Sequence, residues 1–339
     1  MKSDLILLGH GSGGKLSHQL LDEIIIPTLS GISQKNQNDA AVLPFSGDRL
    51  AFTTDSYVVD PVFFPGGNIG DLAINGTVND LVMSGARPLA ISVGLILEEG
   101  LSIKELRFIV ESMRDAALAA NVSIVTGDTK VVTRGAADKI FINTSGIGVF
   151  EHSLKIEGNR AKPGDKVIIN GTIGDHGIAV LASREGLELG VDILSDSAPL
   201  NGLVLDAIEK YGEHIHALRD PTRGGVATTL KEIALQSGID IELEEATLPV
   251  RESVEGACSI LGLDPLYVAN EGKVLFVVDG GMADDILHLL RQHPFGREAA
   301  IIGQVVQAQK SEGRVSLHTA IGGRRIVDML SGEQLPRIC

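Results

Sequence analysis

Tryptophan is absent from the 339-residue chain, and aromatics make up only 4% of it. Its cores must therefore be built from Val, Ile, Leu and Ala, which the 44% hydrophobic share supplies, and whole-chain disorder is excluded. Cysteine is nearly as scarce: Cys258 and Cys339 are the only two. That is too few for a disulfide scaffold or a four-cysteine metal site, and it suits a reducing compartment. Positive charge is in deficit, with Lys+Arg 29 against Asp+Glu 44 and a net charge of -15. Such a surface repels phosphate backbones and anionic headgroups, so neither nucleic acid nor membrane is an expected partner. No stretch approaches the ~20 apolar residues of a membrane span, and Leu5 to Leu8 is far too short for a signal-peptide core. A soluble cytoplasmic protein is expected.

Glycine is plentiful at 40 residues, which implies many tight turns or close backbone approaches. The length suits two domains at roughly 150 residues each. Strands and helices alternate, and the expected class is mixed α/β. The pattern predicts a strand over 4–8, a helix from about Leu16 to Leu29, strands at Ala40–Pro44 and Leu50–Thr54, and a helix over Ile69–Gly85. A strand at Leu89–Leu97 follows. Ser102-Ile-Lys-Glu105 opens a helix with a capping-box pattern, and Ile103, Leu106, Val110 and Met113 give it a buried face. The turn formers of Gly158-Asn-Arg-Ala-Lys-Pro-Gly164 mark a boundary between domains over 1–157 and 158–325. Residues 326–339 read as a mobile tail.

Gly9-His-Gly-Ser-Gly-Gly-Lys15 satisfies the phosphate-loop spacing, but Leu16 stands where Mg²⁺ needs a hydroxyl. A dinucleotide-binding reading also lacks its acidic partner about 20 residues on. What survives is a glycine loop with one cation that can close over phosphates, beside the plain alternative of a turn. Asp39, Asp55, Asp80, Asp128 and Asp220 each follow Asn, Thr, Gly or Arg at the end of an apolar segment. Any one of them alone reads more readily as a turn former or cap, whereas together they supply the hard oxygens that a Mg²⁺–triphosphate requires. Asp220-Pro-Thr-Arg-Gly-Gly225 opens a helix, a place that favours anions. Lys130, just after a buried strand, is expected to be partly desolvated. Glu271, in Asn270-Glu-Gly-Lys273, offers a carboxylate usable as a base. Cys339 ends the chain after Pro336-Arg-Ile, too late for a prenylation box.

The ordered set His10-Gly-Ser-Gly-Gly-Lys15, Asn38-Asp-Ala-Ala-Val-Leu43, Thr53-Thr-Asp-Ser56, Val78-Asn-Asp-Leu-Val-Met-Ser-Gly-Ala-Arg-Pro88, Thr126-Gly-Asp-Thr-Lys130, Asp220–Gly225, Asn270–Lys273 and Pro336-Arg-Ile-Cys339 resembles the HypE carbamoyl dehydratases of [NiFe]-hydrogenase maturation. The aspartate motifs are shared with aminoimidazole ribonucleotide synthetase and selenophosphate synthetase, and the cysteine terminus sets the HypE members apart. The resemblance implies an aminoimidazole ribonucleotide synthetase-like fold. The domain over 1–157 would bind ATP and pair across a homodimer into a shared β-barrel. It also implies that a HypF-type carbamoyltransferase loads the sulfur of Cys339, that ATP drives dehydration to a thiocyanate, and that a HypC–HypD-type scaffold accepts the cyanide. By motif position, Asp39, Asp55, Asp80 and Asp220 would hold Mg²⁺–ATP. Gly11, Gly13, Gly14 and Lys15 would cover the phosphates, with Asp128 on the nucleotide side. Lys130 and Glu271 would flank the tail, either one as base, with Cys339 as covalent carrier. Two rivals are a synthetase acting on a free small molecule and a non-catalytic scaffold that hands on a ligand from its thiol.

Overall fold

The computed structural model describes residues 4–11, 15–30, 49–187, 192–309, 313–329 and 337–339. The expected strand over 4–8 is a single bridge between Leu5 and Ser102. The helix expected to Leu29 is present as three consecutive segments, Lys15–Leu20, Leu21–Ile25 and Ile26–Ser30, the middle one wound as a π-helix. That wide turn lies just ahead of Pro27, which cannot continue a regular ladder. The strand expected at Ala40–Pro44 lies outside the described residues.

Four strands form the first sheet: β1 (Leu50–Tyr57), β2 (Arg87–Glu98), β3 (Ser123–Val132) and β4 (Ile140–Val149), in the order β1-β4-β2-β3. Only β2 and β3 run parallel. Helix α1 (Ile69–Met83) packs on one face of the sheet, against β1 and β4, and is backed by α2 (Ile103–Ala119). The start of α1 is fixed reciprocally: Asn68 Oδ1 accepts from the Gly70 N–H at 2.8 Å, and Asp71 Oδ2 accepts from the Asn68 N–H at 2.8 Å. Helix α1 approaches β1 closely at Gly76, where a Cβ would stand 2.2 Å from the Tyr57 hydroxyl. That contact sets Asp80, one turn later, beside β1. The opposite face of the sheet is left open, and Leu50, Phe52 and Ile96 are exposed on it. Among the described residues this sheet is open-edged and does not close into a barrel.

Residues 151–165 contain neither helix nor strand, and the expected domain boundary falls within them. The second half carries β5 (Lys166–Ile169), α3 (Asp175–Glu185), α4 (Asn201–Tyr211), β6 (Ile215–Arg219), α5 (Gly225–Ser237), β7 (Asp240–Glu244), α6 (Glu252–Leu261), β8 (Leu275–Val278), α7 (Ala283–Gln292), β9 (Ala300–Val306), β10 (Val315–His318) and β11 (Arg324–Val327). Its seven-stranded sheet has the order β11-β10-β7-β9-β5-β8-β6. Both faces are covered, as β8 illustrates. Leu275 and Val277 enter one core with Val226 and Leu230 of α5, while Phe276 and Val278 enter another with Val204 of α4 and Ile286 of α7. A strand buried on both sides needs apolar residues at every position, which explains its unbroken run. The expected start of a mobile tail at 326 falls inside β11. Residues 337–339 are docked on the first domain, with Ile338 only 2% exposed in its core.

Candidate active site

Where the two halves meet, β1, α1, the turn before α5, the segment around Glu271 and the end of the chain enclose a cavity of about 360 Å³. Asp55 enters from β1, Asp80 from α1, and Asp220 with Arg223 from the turn after β6. Glu271 and Cys339 also line it. Six residues separated by up to 284 positions in sequence thus share one space.

Acid crowding dominates its electrostatics. Burial, followed by the charge of Asp80, pushes the Asp220 carboxyl up to about 7. Burial also raises Asp80, partly offset by the Thr53 hydroxyl donating to its Oδ2 at 2.7 Å. Glu271 is 5% exposed, and its Oε1 has no hydrogen-bond partner among the described residues. Burial, reinforced by Asp220, lifts its carboxyl well above the usual range. The thiol of Cys339 is pushed up to about 12 by burial and by Glu271, so in the docked position it is neutral. The nearby positive charge of Arg223 opposes part of the shifts at Cys339 and Asp80. Repulsion among converging carboxylates is relieved by a bound cation. Among the described residues no cluster of three ligand side chains closes a metal shell alone. Mg²⁺ takes one or two carboxylates and completes its shell with phosphate oxygens and water, and Asp55, Asp80 and Asp220 offer carboxylates of that kind. The donor set therefore fits Mg²⁺ carried on a nucleotide.

Glu271 is held from behind by residues that the sequence reading passed over. In the segment 195–197, which lacks helix and strand, Asp196 accepts from the Glu271 N–H at 3.0 Å and from Lys273 Nζ at 2.7 Å. The approach leaves no room for a side chain at position 272, since a Cβ on Gly272 would stand 1.8 Å from the Asp196 carbonyl oxygen. Asn79 of α1 donates to the carbonyls of Ala198 and Glu271 and accepts from the Leu200 N–H. Arg223, by contrast, had a legible signal, because it sits inside the motif that supplies Asp220.

Other expected site residues lie elsewhere. Thr126–Lys130 is the interior of β3, not a loop beyond it. There Lys130 Nζ pairs with Asp128 Oδ2 at 3.0 Å, and their side chains are 67% and 69% exposed. The expected partial desolvation of Lys130 is thus corrected. Within one chain Lys130 does not lie beside the cavity that holds Glu271, since β3 and β1 are opposite edges of the sheet, three strand spacings or about 14 Å apart. Asp128 and Lys130 also pair in register with Gly94 and Ile96, on the face that α1 does not cover. The glycine-loop flank Leu8–Gly11 packs against this same β3 edge. Gly11 and Lys15 bracket residues 12–14, so Gly13 and Gly14, like Asp39, lie outside the described residues.

Comparison with known proteins bears on this arrangement. The AIR synthase related protein models match the chain over residues 37–150 for the N-terminal domain and 162–316 for the C-terminal domain. The carbamoyl dehydratase HypE of Rhizobium leguminosarum bv. viciae is 50% identical over 332 residues, 98% of this chain and 94% of the relative. This chain belongs to the HypE family. A crystal structure of the hydrogenase maturation protein HypE in complex with ATP has a TM-score of 0.92 and 50% identity, covering 98% of this chain and 99% of that one. A HypE–HypF complex aligns with a TM-score of 0.80 at 50% identity, over 83% of this chain and 90% of that one. Family membership makes the chain an enzyme of the carbamoyl dehydratase class, with two domains of the AIR synthase type. Among the described residues no helix is long and apolar enough to cross a membrane.

Proposed function

We propose that the cavity converts an S-carbamoyl group on Cys339 into a thiocyanate at the expense of ATP, as the cyanide-supplying step of [NiFe]-hydrogenase maturation in the cytoplasm. The observation that carries this reading is that the sulfur-bearing residue shares one cavity with Asp55, Asp80, Asp220 and Glu271. A HypF-type carbamoyltransferase donates the carbamoyl group, and a HypC–HypD-type scaffold accepts the cyanide. The existence of a HypE–HypF complex supports the first partner.

An amide oxygen is a poor leaving group, so the reaction must first improve it. The thiocarboxamide oxygen attacks the γ-phosphorus of ATP, a new P–O bond forms, and ADP departs. Both nitrogen-bound protons are then lost, the C–O bond breaks with release of phosphate, and the freed electrons complete the C≡N bond. The sum is thiocarboxamide plus ATP giving thiocyanate, ADP and phosphate. Glu271 takes a proton from nitrogen through its buried Oε1, which has no partner among the described residues. Arg223 binds the transferring phosphoryl group. Asp55, Asp80 and Asp220, together with Asp39 by motif position, would hold Mg²⁺, which when bound supplies positive charge to offset that developing on the phosphoryl oxygens.

A homodimer completes the site. Asp128, Lys130 and the described flank Leu8–Gly11 belong to the β3 edge, whereas the cavity lies at the β1 edge. If Lys130 acts in the reaction it therefore comes from a second copy. Exposed Leu50, Phe52 and Ile96 on the uncovered sheet face support that pairing, which would close two open sheets into one barrel. The test loads the protein with carbamoyl phosphate and the transferase, adds Mg²⁺ and ATP, and follows ADP release together with the mass of the C-terminal peptide. ADP release that depends on a loaded tail supports the reading, and equal release with an unloaded one refutes it.

A further inference from the structure

The last three residues are held through their main chain and through the side chains of Arg337 and Ile338. Arg184 Nη2 donates to the carbonyl of Arg337 at 2.6 Å, and its Nε donates to the carbonyl of Asp60 at 2.6 Å. His176 is fully buried, and its Nε2 lies 2.8 Å from the Ile338 carbonyl oxygen. The Val58 N–H donates to the Cys339 oxygen at 3.1 Å. A carbonyl only accepts, so Nε2 carries the proton, and Nδ1 accepts from the Ser195 hydroxyl at 2.8 Å. Ser195 Oγ in turn accepts from the Ser197 N–H at 3.1 Å. Burial holds the imidazole below its usual pKa, consistent with this neutral tautomer. The edge of its ring meets Phe64, with centroids 5.5 Å apart. Side-chain contact is concentrated at Ile338 in the core and at Arg337, which pairs with Asp138 at 2.6 Å. None of these bonds uses the cysteine sulfur, so a carbamoyl or cyano group on it leaves them intact.

The docked sulfur lies in the wall of the cavity between the two halves, beside Asp55 and Glu271, which leaves a separate enzyme's active site no room to close around it. Loading therefore needs the tail out, and dehydration needs it in. We propose that His176, oriented by Ser195 and assisted by Arg184, is the latch that sets the balance between these two positions of residues 337–339. This rests on the dehydratase reading for its purpose but not for its test. His176 is a positioning residue: withdrawal of the tail leaves its Nε2–H buried and unpaired, which favours return.

The experiment compares wild type with His176→Leu, Ser195→Ala and Arg184→Ala, all as full-length protein. Each is treated briefly with N-ethylmaleimide, and labelling at Cys339 and Cys258 is read separately by peptide mass. Cys258 is 1% exposed within α6 and serves as an internal gauge of folding. The latch predicts that Cys339 labelling accelerates at least about fivefold, as expected for one lost buried hydrogen bond, while Cys258 stays protected. It further predicts opposite shifts in the two half-reactions: faster loading by the carbamoyltransferase, slower single-turnover dehydration of the loaded tail. A merely structural defect would slow both. Cys339 labelling that is unchanged in all three variants, or that rises only together with Cys258, overturns the proposal. Neither outcome bears on whether ATP drives dehydration, so failure of the latch and failure of the dehydratase reading are told apart.

Discussion

The two edges of the N-terminal sheet face opposite surroundings. At the β1 edge, Asp55 is roofed by α1, by the second domain and by the chain end, and its carboxylate neighbours are desolvated. At the β3 edge, Asp128 and Lys130 neutralise each other in water, and the charge-assisted bond to Lys130 holds Asp128 below its ordinary range. The same residue types therefore do different work: crowded acids at one edge demand a cation, whereas a paired acid and base at the other demand nothing until a second surface displaces the water between them. An exposed pair of this kind contributes little to stability, about 0–1 kcal/mol.

The largest expected effect lies at the β1 edge. Cys339→Ala should bring product formation below detection while nucleotide binding, read by fluorescence of an ATP analogue, persists, because the aspartates do not depend on the sulfur. Glu271→Gln should keep ATP affinity and slow single-turnover dehydration about 10²- to 10⁴-fold, the usual worth of a positioned base. A smaller loss would transfer the role to Lys130. Asp80→Asn should weaken Mg²⁺–ATP by roughly 10- to 100-fold in a titration.

The β3 edge is sharpened by complementation. Lys130→Ala and Cys339→Ala should each be inactive alone. Mixed one to one and allowed to exchange subunits, they should regain roughly a quarter of wild-type turnover, since half the dimers then hold one intact site. No regain would return Lys130 to its own chain's reaction, or to none. The smallest effect is on stability. The folded-state value of Asp220, about 7, lies above its unfolded value of 3.8, so the folded chain binds the extra proton between them. Its contribution is full below the lower value and is lost as pH rises through the upper one. Thermal midpoints without Mg²⁺ should fall by a few degrees across that window, and Asp220→Asn should flatten the curve.

Much of the fold was readable because periodicity and burial agree. Leu89–Leu97 marks β2, and the spacing of Leu106, Val110 and Met113 marks α2, because each buries one well-defined face. Thr126–Lys130 misled for the converse reason. Gly127 and Asp128 are poor strand formers, yet parallel pairing with β2 carries the strand through them, a tertiary contact that local propensity does not register. The aspartates and Cys339 were legible as motifs. Ser195, Asp196 and Ser197 were not, because three short polar residues in an irregular segment look like solvated loop until His176, Glu271 and α1 are seen around them. Docking of the chain end was hidden as well: three residues carry no periodicity, and several of their anchors are backbone carbonyls that every sequence possesses.

The account rests on chemistry at the sulfur of Cys339, and the mass of the C-terminal peptide tests that most directly. After loading by the carbamoyltransferase and a single turnover with Mg²⁺ and ATP, the peptide should weigh one water less than its carbamoylated form, with one ADP released per tail converted. A peptide that keeps its full carbamoyl mass while ATP is consumed would contradict it.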